Sequence, residues 1–138
     1  MGRILAIDYG KKRTGIAVSD CLQIIAQGLT TVETSQLMAF LKDYFAKEPV
    51  ERVLIGLPRQ TSGELSENAG RVLQFCEAFR KAFPNLPLET CDERFTSVMA
   101  HRVMIDGGLK KQERRNKALV DEISATLILE WYMESKRL

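Results

Sequence analysis

Ile4-Leu5-Ala6-Ile7 is an unbroken apolar run that stops abruptly at Asp8. A run this short, bounded by charge and turn residues, reads as a strand buried on both faces. The strand covers residues 3–9 (RILAIDY), and GKKR at 10–13 makes a tight turn, with Gly10 where φ can be positive. The chain then returns as TGIAVS at 14–19. There Ile16 and Val18 alternate with Gly15 and Ala17, whose small size leaves room for close approach of another element. Residues 25–33 read as a third strand, completing an antiparallel meander.

Beyond the meander the periodicity changes. Leu37, Phe40, Leu41, Tyr44 and Phe45 mark a helix over about 36–47, with Thr34 or Ser35 as its cap and Pro49 as its stop. RVLIGL at 52–57 is again continuously apolar, as a central parallel strand would be. After the loop PRQTSGEL (58–65), Leu65, Ala69, Val72, Cys76, Phe79 and Phe83 predict a long helix over about 66–83. A fifth strand follows over 88–92, then a shorter helix after Thr96 that ends at Gly107-Gly108. Val120, Ile123, Leu127 and Trp131 mark a last helix over about 118–135. Phe40, Phe45, Phe75, Phe79 and Trp131 read as core. The order β-β-β-α-β-α-β-α-α predicts an α/β fold: a mixed five-stranded sheet, part antiparallel meander and part parallel, flanked by helices. With 138 residues and no linker or repeat, residues 1–138 are expected to form one domain.

Composition removes several chemistries. No apolar run reaches the length of about eighteen residues needed for a membrane span. The three cysteines, Cys21, Cys76 and Cys91, are odd in number and form no CxxC pair, so a reducing, cytoplasmic setting is expected. His101 is the only histidine, placed on a helix surface and given no catalytic role. Histidine triads and multi-histidine zinc sites therefore drop out, and hydrolytic chemistry would rest on carboxylates. Formal net charge is only +2. Charge is concentrated, however, at 109–117 (LKKQERRNK), where Lys110, Lys111, Arg114, Arg115 and Lys117 face only Glu113.

Three acidic positions call for explanation. Asp8 sits at the lip of the core, where an unpaired carboxylate would cost several kcal/mol. It needs a cation, a metal or turn amides such as those of Gly10 to Lys12. Asp92-Glu93-Arg94 follows the fifth strand directly, and the carboxyl ends of parallel strands lie together. Because side chains alternate, only one of Asp92 and Glu93 can share a face with Asp8, and alternation alone does not choose. Asp121 and Glu122 open the last helix, where they would complement its macrodipole. Small Ser124 and Ala125, one turn on, would let the helix approach a strand and bring Asp121 toward Asp8. Three carboxylates together repel unless a divalent cation neutralises them, and oxygen donors suit Mg2+ or Mn2+.

These residues lie in four blocks: LAIDYGKKRTGIAVSD (5–20), IGLPRQTSGELSENAGRVLQF (55–75), DERFTSVMA (92–100) and LVDEISATLILEWY (119–132). In that order, and spread over nearly the whole chain, they resemble the YqgF family, also called RuvX. These are RNase H-like proteins described as Holliday-junction-resolvase-like or as pre-16S rRNA nucleases. DxGxxxxG alone is weak, since phosphate-binding ATPases carry it too, but the chain is too short for the second lobe of such an enzyme.

The resemblance implies an RNase H-like fold and an acidic catalytic and metal-binding triad at Asp8, Glu93 and Asp121. It favours Glu93 over Asp92. It implies a hydrolase that cleaves phosphodiesters with Mg2+ or Mn2+, acting on precursor 16S rRNA in ribosome biogenesis. The alternatives are a Holliday-junction resolvase acting on branched DNA, which needs a dimer, and a non-catalytic rRNA or ribosome assembly factor. A trimming nuclease for RNA ends can be monomeric, so monomer and homodimer both stay open. The basic segment 110–117 leads into Asp121, and Lys11, Lys12 and Arg13 flank Asp8. With Arg94 these are the candidate contacts to substrate phosphates. Whether Asp92 or Glu122 assists the triad stays open at this point.

Overall fold

The computed structural model describes residues 2–57, 68–92 and 117–137. Five strands, β1 (Arg3–Asp8), β2 (Arg13–Ser19), β3 (Ala26–Glu33), β4 (Val50–Leu57) and β5 (Leu88–Asp92), form one sheet in the order β3-β2-β1-β4-β5. β2 pairs antiparallel with β1 and β3, while β4 pairs parallel with β1 and β5. The expected mixed sheet is therefore present. Three described helices flank it: α1 (Leu37–Lys47), α2 (Ala69–Ala82) and α3 (Lys117–Arg137). Among the described residues no helix is long and apolar enough to cross a membrane.

Each face of the sheet carries its own core, which is why β1 and β4 are continuously apolar. On one face Leu5, Ile7, Ile16, Val18, Val53 and Ile55 pack with Leu37 and Leu41 of α1 and Val72, Cys76 and Phe79 of α2. On the other, Ile4, Ala6, Ala17 and Leu54 pack with Ala125, Ile128, Leu129 and Met133 of α3. The expected α2 stripe is buried from Ala69 to Phe79, with Phe83 packed at its edge. Phe75 joins this core, and Phe40 and Phe45 pack against it half-buried. Cys21, Cys76 and Cys91 are not disulfide-bonded, and burial pushes the Cys76 thiol up. At the β2–β3 corner the Asp20 carboxylate accepts the backbone N–H groups of Leu22, Ile24 and Ile25. Those bonds, that of Ile25 foremost, hold its carboxyl below the usual carboxylate range.

Three expectations are corrected. Gly10 is not left-handed: a side chain there would strike the carbonyl of Arg13, so close approach is what requires glycine. Neither Thr34 nor Ser35 caps α1; a 3-10 turn over Thr34–Gln36 precedes the helix, and no side-chain cap bond is made at its start. Thr34 instead fastens the β1–β2 turn. Its Oγ1 donates to the Gly10 carbonyl at 2.6 Å and its amide donates to the Lys12 carbonyl at 2.9 Å. Finally, the row Val120, Ile123, Leu127 and Trp131 is not the buried face of α3: Trp131 is 63% exposed. Ser124, Ala125, Ile128, Leu129 and Met133 are buried in its place. The loop at 58–65, the start of the long helix at 66, the helix after Thr96 and His101 lie outside the described residues.

Candidate active site

The site begins where the parallel strands end. β1 finishes at Asp8, and the register pairs Asp8 with Gly15 across the β1–β2 hairpin. Alternation gives Asp8 the same face as Ile4 and Ala6, the face covered by α3. α3 reaches this spot with its backbone. A side chain at Gly15 would strike the main chain of Asp121 and come within 2.8 Å of the amide nitrogen of Glu122. Gly15 thus seats Asp121 directly over the cross-strand neighbour of Asp8. The small residues one turn on, Ser124 and Ala125, are completely buried, as close packing requires.

Asp121 lies in phase with the buried row of α3 rather than beside it. Nor does it sit in the first turn, which carries no acidic residue in a helix starting at Lys117. Complementing the helix dipole therefore does not explain it, because that effect fades within the first turn. Its partner is Arg13, whose Nε donates to Asp121 Oδ2 at 3.2 Å. Lys11 and Lys12, by contrast, are exposed at the turn. Arg13 thus differs from the two lysines beside which the sequence places it: its side chain meets Asp121. The signal available was spacing: Arg13 is two residues from Gly15, so both lie on one side of β2.

The other acidic candidates separate. The carboxylate of Glu122 lies over Gly28 in β3, the sheet edge, with β2 between it and β1. On β5, Cys91 packs toward α3, while position 92 pairs with Leu57 of the opposite core. Glu93, Arg94, Lys110, Lys111, Arg114 and Arg115 lie outside the described residues, as does the side chain of Lys117. Among the described residues no three acidic, cysteine or histidine side chains cluster as a metal site. The N-terminus of α2 is tied to the same end of the sheet: Asn68 Nδ2 donates to the Tyr9 carbonyl at 3.0 Å, and the rings of Tyr9 and Phe75 are 5.2 Å apart.

Ser124 adds an anomaly. Its hydroxyl is buried without a hydrogen-bond partner, the one such side chain among the described residues. An unsatisfied buried hydroxyl costs about 1–3 kcal/mol. Ser124→Ala removes it at nearly constant volume, so a gain of about 1 kcal/mol is expected in urea denaturation. A loss would show that the hydroxyl is bonded in solution.

Residues 2–135 match the RuvX family, described as Holliday junction resolvase. The chain belongs to the RuvX family. One RuvX relative, from Bacteroides thetaiotaomicron, is 64% identical over 137 residues and 99% of both chains, and is named "Putative pre-16S rRNA nuclease". Another of the same name, from Phocaeicola vulgatus, is 61% identical over 137 residues, again 99% of both chains. Among solved structures, the Fowlpox virus resolvase in complex with substrate Holliday junction DNA matches with a TM-score of 0.61, covering 97% of this chain and 98% of that one. Identity there is only 14%, so the likeness speaks for the fold alone, which is the RNase H-like fold of the resolvases.

Proposed function

We propose that this RuvX protein is a cytoplasmic, metal-dependent nuclease that hydrolyses phosphodiester bonds in precursor 16S rRNA, its residues 1–138 acting as one nuclease domain. The observation that carries the reading is the seating of Asp121 on Gly15, opposite Asp8. The main chain of Asp121 lies against the cross-strand neighbour of Asp8, near the carboxyl end of β1, and α/β sheets place their sites at such strand ends. The names of the relatives supply the substrate.

Asp8 and Asp121 offer hard oxygen donors, which fit Mg2+ or Mn2+. Glu93 completes the proposed set. It directly follows β5, whose described residues end at position 92 beside β4. Such an ion, when bound, would supply charge stabilisation and a water acidic enough to attack phosphorus in line. The chain's own contribution is placement. Gly15 fixes the depth of Asp121, and Thr34 and Gly10 fix the turn that carries Lys11, Lys12 and Arg13. Lys11 and Lys12, with Arg94, Lys110, Lys111, Arg114, Arg115 and Lys117, would draw phosphates toward the acidic pair.

The deciding test offers a precursor 16S rRNA fragment and a four-way DNA junction to the protein with Mg2+ or Mn2+. Discrete cleavage of the rRNA and an intact junction are expected. Cleavage of the junction alone would move the chain to DNA resolution, and binding without cleavage of either would make it an assembly factor.

A further inference from the structure

We propose that Arg13 is a positioning residue that stands in for the divalent cation at Asp121, so that metal binding must displace part of its charge contact. This rests on the metal-site reading above. An acidic pair needs positive charge nearby in the free protein as well as in the metal-bound one. The pair made by Arg13 Nε and Asp121 Oδ2 supplies it, with side chains 37% and 23% exposed.

Arg13 is not a loose surface cation that happens to touch an acid. Its carbonyl packs against Gly10, it opens β2 opposite Glu33 of β3, and the adjoining Lys12 carbonyl accepts the Thr34 amide. The backbone is held from three sides, which lowers the entropy lost when the side chain is ordered. Only Nε of its five N–H donors meets Asp121, so the contact is a single-point one. Nothing in it demands the guanidinium fork, and a point charge can replace it. The ion and Arg13 then compete for the same negative charge.

The consequence has a sign that a purely structural role would not give. Losing Arg13 removes a competitor, so metal binds more tightly. An exposed pair is worth up to about 1 kcal/mol, so the gain is about fivefold in Kd. The experiment titrates the full chain with Mn2+ and counts free ion by electron paramagnetic resonance. It compares wild type with Arg13→Gln, Arg13→Met and Arg13→Lys. The two neutral variants guard against one of them failing to fold, and circular dichroism reports folding. Tighter binding by about fivefold in the folded neutral variants, with Arg13→Lys close to wild type, is the expected result. Equal or weaker binding in a folded neutral variant overturns the role of Arg13 and leaves the metal site standing. Absence of Mn2+ binding by wild type overturns both.

Discussion

Asp8→Asn is expected to leave the protein folded and to lower metal-dependent cleavage of precursor rRNA by about a thousandfold, the scale of several kcal/mol of lost charge stabilisation. The substitution keeps the shape of the side chain and removes its charge. Asp8 sits at the end of a strand whose interior, Ile4 to Ile7, is buried between two cores. Its own side chain is only half-buried, so loss of its charge is expected to leave the fold intact. Gel-based cleavage with a homogeneous preparation, alongside circular dichroism, reads both halves of the expectation. Undiminished cleavage by folded Asp8→Asn would remove Asp8 from the chemistry. Unfolding of the variant would assign it to the turn amides instead.

Gly15→Ala is the second large effect. The added methyl meets the main chain of Asp121 and the amide of Glu122, not the tip of a flexible side chain. Gly28 provides the contrast, since a methyl there meets the carboxylate end of Glu122, which can swing away. At Gly15 the helix itself must shift, so a cost of about 3 kcal/mol is expected in urea denaturation, the upper end for overpacking. Cleavage should fall further than the unfolded fraction explains, because the same shift lifts Asp121 away from Asp8. A variant of unchanged stability and activity would show that α3 does not sit on β2 in solution.

Much of this was legible from residues. Apolar runs closed by a carboxylate or a turn gave the strands, because a strand buried on both faces has no room for polar alternation. Gly15 and Ala17 announced a close approach, and Ser124 and Ala125 its other half. What misled was α3, which carries two apolar rows. Size favoured Val120, Ile123, Leu127 and Trp131, yet the facing floor at Gly15 and Ala17 admits a helix only by its small side. The small residues won and Trp131 turned out to solvent. Thr34 and Gly10 were misassigned because each has a local role that sequence suggests, capping and left-handed turning. Their actual partners, the Gly10 and Arg13 carbonyls, are set by tertiary packing. Asp121 could be brought toward Asp8 by reasoning about size, but the counter-charge from Arg13 could not, since the pair is 108 positions apart.

That separation has a bearing on when the protein can act. The hairpin bearing Asp8 and Arg13 leaves the ribosome long before the helix bearing Asp121. Until that helix docks on Gly15 the two carboxylates have no common address, and the nascent chain holds half a site. On the proposed reading, an enzyme that cuts RNA stays inert until its last described helix docks on Gly15, and that docking is what arms it.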